Sequence, residues 1–201
     1  MNRPPKNAQT VVPMTVTEAI YHRRSIRDYT PQKIDRATLG KLVDAAVQAP
    51  TAMHEEAWAF VVVQDKLLMN RLSDKAKELL THGTDPIHPV HGNAAHGHFT
   101  TPGFNAFYNA ETLIVICGRP MGPFVVSDCW LAAENLMLAA YANGIGSCVI
   151  GLVVTALNTP EWKKELAIPS GMTAFAPIIL GFAAGVAPPV PRKEPEILIW
   201  K

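Results

Sequence analysis

The stretch "ETLIVICG" (Glu111–Gly118) carries Leu113, Ile114, Val115, Ile116 and Cys117 in unbroken succession. A short, uncharged, β-branched run of this kind reads as a buried strand. Two other stretches match it. "WAFVVVQD" (Trp58–Asp65) lies upstream and "TAFAPIILGFAAG" (Thr173–Gly185) downstream, and "PEILIWK" (Pro195–Lys201) is a candidate fourth strand.

Helical patterns fill the intervals. "TVTE" (Thr15–Glu18) is a capping box and predicts a short helix to about Arg23. Leu39, Leu42, Val43, Ala46 and Val47 form a helical stripe within Asp35–Ala49, closed by Pro50. "DKLLMNRLSDKAKELL" (Asp65–Leu80) is amphipathic. A long apolar helix capped by Ser127 or Asp128 should end at Asn143–Gly144. "TPEWKKEL" (Thr159–Leu166) reads as a short helix with Pro in its first turn. Strands separated by helices indicate an α/β or α+β sandwich.

The composition narrows the function classes. The chain has 201 residues, is 48% hydrophobic and carries a formal net charge of +1. That balance argues against a general nucleic-acid binder. The most apolar helical stretch, Trp130–Ala142, is too short for a membrane span and carries Glu134 and Asn135. The first residues lack the apolar run of a secretory signal. Cys117, Cys129 and Cys148 lie far apart in apolar sequence. They read as buried free thiols in a reducing, cytoplasmic setting.

Two regions break the regular pattern. Residues 1–14 are Pro-rich and polar, and read as a loose arm before a single domain at 15–201. Residues 81–103 hold five His, four Gly and three Pro without periodicity, and read as a lid-like loop. No Cys and few carboxylates accompany the histidines, so no metal site is expected. Phe107 and Tyr108 are expected in the core, with Phe99 or Phe104 facing a site.

The other local anomaly is "YHRRSIRDYT" (Tyr21–Thr30), which brings Arg23, Arg24 and Arg27 together around Ser25. Guanidinium forks bind phosphate in a bidentate manner, and a hydroxyl adds a neutral donor. In an extended segment, Ser25 and Arg27 point to one side. A small anionic target is implied.

The chain resembles the nitroreductase family of FMN-dependent oxidoreductases. "RRSIR" is followed by "APTAMHEEAWAFVVVQD", then by a long helix ending in "NGIGSCVIG", then "PIILGFAAG", then "PRKEP". The resemblance covers residues 15–201. It implies a three-layer sandwich, a central mixed sheet flanked by helices, in an intertwined homodimer with FMN at the interface. It assigns Arg23, Ser25 and Arg27 to the flavin and its phosphate, with Arg24 adjacent and Arg27 near N1 and the C2 carbonyl. Arg192 matches the late basic residue that reaches the phosphate, and Lys193 is a neighbour able to substitute. Pro50, Thr51 and Ala52 match a segment the partner lays beside the ring. Ile150 and Gly151 match the stretch whose backbone faces N5. The family's usual Asn and Gln are replaced here by His54 and Glu56, and Ala57 stands before Trp58; His54 remains a candidate flavin contact.

The implied activity is hydride transfer from NAD(P)H through flavin N5 to a nitroaromatic, quinone or related electrophile, with ping-pong kinetics. No side chain is required as nucleophile or acid–base pair. Two alternatives stay open: a specialised flavin enzyme of dehalogenase or dehydrogenase type, and a non-catalytic flavin-binding or sensing module.

Overall fold

The structure is a computed structural model, and it describes residues 14–82, 101 and 103–201. Four antiparallel strands make one sheet: β1 (Trp58–Val63), β2 (Thr112–Gly118), β3 (Gly146–Val149) and β4 (Thr173–Gly181), in the order β1-β2-β4-β3. β2 and β4 are therefore central, and each offers side chains to both faces. Leu113, Val115 and Cys117 enter one core, and Ile114 and Ile116 enter the other. On β4 the phase flips at a bulge opposite Ile116 and Cys117, so Ala174 shares the first core with Ile179, and Ala176 the second with Ile178.

Helices cover both faces, as a sheet buried on both sides requires. One face carries α3 (Lys66–Thr81), α5 (Val154–Leu157) and α6 (Pro160–Glu165), whose Met69, Leu72, Leu157 and Trp162 fill the first core. The other carries α2 (Arg36–Ala46) and α4 (Val125–Ala142), with Leu39, Leu42, Cys129 and Leu136. The expected three-layer α+β sandwich is what the chain adopts. Among the four strands the pairing is antiparallel; among the described residues the parallel component is one bridge, between Ser25 and Ser147.

Local chemistry sets the helix ends. α1 (Val16–His22) starts at the expected capping box: Glu18 N–H donates to Thr15 Oγ1 at 3.2 Å, and Thr15 N–H to Glu18 Oε2 at 2.7 Å. α2 stops three residues short of the expected Ala49. Gln48 and Ala49 already donate three residues back, to Ala45 and Ala46, because the residue before Pro50 is steered out of the helical region. α4 ends as expected. Gly144 takes φ 72°, and Ile145 N–H reaches back to Ala140 O at 2.9 Å.

Two expectations are corrected. The fourth strand is β3, directly after α4, and not the segment from Pro195. Ile197–Trp200 forms no strand and stays exposed, because no sheet edge within the described chain pairs with it. At the other end of α4, neither Ser127 nor Asp128 caps the helix. Phe124 is the N-cap without a side-chain bond, and Asp128 sits a turn inside with its carboxylate buried. Residues 83–100 lie outside the described residues, and with them most of the expected lid and four of its five histidines. Among the described residues no group of His, Cys, Asp or Glu is placed to hold a metal, and no helix is long and apolar enough to cross a membrane.

All three cysteines are buried and unpaired. Burial pushes the Cys117 thiol up to about 11 and that of Cys129 to about 12, and raises Cys148 as well. The thiolate is the reactive form. A thiol titration with an aromatic disulfide at pH 8 should therefore find none of the three reactive in the native protein and all three in guanidinium. A thiol that reacts at once under native conditions would contradict the packing.

Candidate functional site

Arg23 leaves α1 with φ −55° and ψ 136°, so the chain runs out extended. The segment then lies along the β3 and β4 ends of the sheet. Ile26 N–H donates to Ser147 O at 3.0 Å, Thr30 N–H to Phe182 O at 2.8 Å, and Ala184 N–H to Asp28 O at 3.0 Å. Two glycines admit it. A Cβ on Gly146 would stand 2.8 Å from Ile26 Cγ1, and one on Gly181 would stand 2.7 Å from Tyr29 Cδ1. Tyr29 is buried and its hydroxyl donates to Ile26 O at 2.7 Å. Ile26 and Tyr29 thus anchor the segment inward, leaving Ser25 and Arg27 exposed on the outer side.

Arg23, Arg24, Ser25 and Arg27 line a cleft of about 370 Å³ together with Arg192, Ala187, Pro188 and Val190. The two basic clusters that lie at opposite ends of the sequence meet there. Four guanidiniums around one cavity give a strong local field in a chain of net charge +1. The opposing charge near them is Glu134 of α4, whose Oε1 lies 3.6 Å from Arg23 Nε. Arg24 Nη1 donates to Tyr21 O and Arg23 O at 2.8 and 2.7 Å, while its buried Nε has no hydrogen-bond partner. A buried donor without a partner is costly, and an anionic oxygen in the cleft is the group that would relieve it.

The Arg27 guanidinium lies over the Tyr108 ring, 6.0 Å from its centroid. Tyr108 packs edge-on against Phe104, with 5.8 Å between centroids, and adopts φ 49°. This corrects part of the aromatic expectation. Phe107 is core, 1% exposed, but Tyr108 is only half-buried and reaches the cationic cluster. Phe99 is outside the described residues. Beneath the cleft, the Cys148 thiol donates to Val149 O at 3.5 Å, and Arg27, Ser25 and Arg23 bear on it from the cleft side. Burial outweighs these influences and keeps the thiol protonated.

The remaining candidates lie elsewhere in the chain's structure. Lys193 is exposed and is not part of the cleft wall. Ile150 is buried and donates its N–H to Pro177 O at 2.9 Å, and Gly151 opens a 3-10 turn to Val153 just after β3. Pro50, Thr51, Ala52 and His54 do not line the arginine cleft. They belong to a strap before β1, a 3-10 turn at Ala52–His54, which rests on the start of α4. Met53, His54 and Glu56 there all have positive φ, at 54°, 56° and 47°. The sequence gives no sign of the bond from Asp128 to the strap, of Tyr108 under Arg27, or of Arg23 as the partner of Glu134. The signal for Asp128 and Glu134 themselves was a carboxylate within an otherwise apolar helix.

Residues 20–182 match the model of the nitroreductase family. The chain belongs to the nitroreductase family. It is 31% identical over 168 residues, 81% of this chain and 82% of the other, to an Archaeoglobus fulgidus protein that carries the provisional name NADH dehydrogenase/NAD(P)H nitroreductase. It is 29% identical over 185 residues to an FMN reductase (NADPH) of Bacillus subtilis, covering 87% of this chain and 68% of that one. A crystal structure of a Bacteroides fragilis nitroreductase with bound FMN superposes with a TM-score of 0.79 at 26% identity, over 92% of this chain and 98% of that one.

The close approach at Gly181 gives a direct test of how the site is held. Gly181→Ala should destabilise the protein by ~1–3 kcal/mol, the usual cost of overpacking. Gly185→Ala meets nothing within 4 Å and should be near neutral. Urea unfolding measures both. Equal stabilities for the two variants would mean that Tyr29 is not packed on the sheet as described.

Proposed function

We propose that this nitroreductase-family protein is an FMN-dependent oxidoreductase that takes hydride from NAD(P)H and delivers it to a nitroaromatic, quinone or related electrophile. The observation that carries the proposal is the convergence of Arg23, Arg24, Ser25, Arg27 and Arg192 on one cleft. Planar forks and a hydroxyl are the donor set a phosphate monoester takes. FMN supplies the redox chemistry when bound, accepting and releasing a hydride equivalent. The chain's own task is to bind and orient it.

In this reading Arg23, Arg24, Ser25 and Arg192 hold the phosphate end, with Lys193 as a nearby reserve of charge. Arg27, steadied by Tyr108, would set positive charge near the ring's N1 and C2 carbonyl. Fixed positive charge stabilises negative charge that develops there during reduction. Ile150 and the Gly151 N–H would serve the N5 side. Pro50, Thr51, Ala52 and His54 come from a second copy of the chain. Nicotinamide and acceptor use the same space in turn, so initial-rate plots should be parallel.

A homodimer fits the exposed apolar surface. Phe124, Val126, Trp130 and Leu131 are exposed at and along α4, as are Val16, Ile20 and Tyr21 on α1. Patches of this kind mark association surfaces. The apolar tail Ile197–Trp200 suits pairing with a partner's sheet edge.

The test has two parts. The purified, FMN-reconstituted protein should show a flavin spectrum, release FMN on denaturation, and turn over NAD(P)H with a quinone. Bound FMN without turnover would make it a flavin-binding module, and FAD or no flavin would overturn the reading. Next, Arg27→Glu and Thr51→Trp homodimers should both be inactive. A mixed dimer gathers both lesions in one site and leaves the other intact, so it should regain about half the wild-type activity, as independent sites add. A mixed dimer as inactive as its parents, with both variants folded and dimeric, would show that the site is not shared.

A further inference from the structure

Asp128 is 4% exposed, and a carboxylate is seldom so deeply buried without a task. Both of its oxygens accept from one donor. Ala52 N–H lies 3.2 Å from Oδ1 and 3.3 Å from Oδ2, across 76 residues of sequence. The strap that it grips is the most strained described piece of backbone. Three of the four residues from Met53 to Glu56 hold the left-handed conformation without being glycine, and such conformations persist only where the surroundings over-determine them. The strap's own backbone bonds are few: Glu55 N–H to Ala52 O at 3.1 Å and His54 N–H to Thr51 O at 3.5 Å.

The Glu55 carboxylate lies near Gly122, in the turn that leads into α4. A Cβ built there would stand 3.5 Å from Oε2 and 3.9 Å from Oε1. Gly122 takes φ 124°, which a side chain would resist. The strap is therefore held at Ala52, directly before the strained residues. Beyond that bond, Met53 is 86% exposed and His54 is exposed. A strained, exposed element fixed to a rigid helix is a presenting element.

We propose that Asp128 is a positioning residue for the site. Its buried carboxylate holds the Ala52 N–H and so sets the conformation in which Thr51–His54 faces the flavin of a second copy. The proposal rests on the shared FMN site put forward above. Asp128 touches no reacting atom; it acts through the Ala52 peptide. Asn at this position keeps one oxygen to accept the bond, whereas Ala removes the acceptor. Removing the donor instead, with Ala52→Pro, breaks the same bond from the other side.

The experiment uses the full chain with FMN and reads two quantities. Hydrogen exchange of the peptide covering residues 50–56 reports the anchor, and FMN affinity with acceptor KM reports the site. Asp128→Ala should speed exchange at Ala52 at least tenfold and raise the FMN Kd or the acceptor KM severalfold. Asp128→Asn should restore most of both. Asp128→Ala, Ala52→Pro and the double variant should show similar losses, since they remove one bond. If Asp128→Ala proves poorly folded, the comparison of Ala52→Pro with Asp128→Asn decides. Unchanged exchange at Ala52 in folded Asp128→Ala, or at residues 53–56 in folded Ala52→Pro, overturns the anchor. Faster exchange with FMN affinity and KM within twofold of wild type overturns the positioning role. Should the wild-type protein bind no FMN, the shared-site reading fails by itself, and hydrogen exchange still scores the anchor.

Discussion

Everything in the site depends on where the chain goes after α1. Ile26 and Tyr29 are pressed into the ends of β3 and β4, and Gly146 and Gly181 are the residues that let them in. The Ser25–Ser147 bridge and the bonds from Ile26 and Thr30 fix the segment's register. A single-residue slip would turn Ser25 and Arg27 inward and bring Ile26 to the surface, as the two-residue period of an extended chain demands. The apolar anchors thus do the electrostatic positioning. Guanidiniums repel one another, so only a scaffold packed independently of them holds several around one cavity.

That gathering has consequences below and beside the cleft. Glu134 takes up part of the field at Arg23, which ties α4 to the end of α1. Tyr108 offers Arg27 a ring face in place of a counter-charge, so the cation is oriented without being neutralised. The Cys148 thiol sits under these charges yet stays protonated, because desolvation outweighs the neighbouring cations. The protein supplies preorganised positive charge and donors, and leaves the redox work to a bound group.

Much of this was legible in the residues. The capping box at Thr15 and Glu18, the apolar runs of β1, β2 and β4, and the Asn143–Gly144 stop are local signals, and each is found where its chemistry places it. The meeting of the Arg23–Arg27 cluster with Arg192 was legible only through the resemblance, since no local pattern links residues so far apart. Other features were hidden because they are tertiary. "GSCV" is too short to announce β3 and becomes a strand by pairing with β4. "EILIW" has the strand pattern and no partner among the described residues. Asp128 looked like a helix cap because Asp prefers that position, but its bond is to Ala52, a contact no local rule could supply. Tyr108 looked like core because it stands beside Phe107, and its positive φ turns it toward Arg27.

FMN and riboflavin share the ring and the ribityl chain and differ by the phosphate. Their dissociation constants, measured side by side by flavin fluorescence in the same low-salt buffer, isolate what the arginine cleft contributes. Several charge-assisted bonds at about 1.5–3 kcal/mol each imply that FMN binds at least a hundredfold more tightly than riboflavin. The gap should narrow as salt is raised, because the exposed part of the attraction is screened. Equal affinities for the two flavins, unchanged by salt, would contradict the assignment of the cleft to a phosphate.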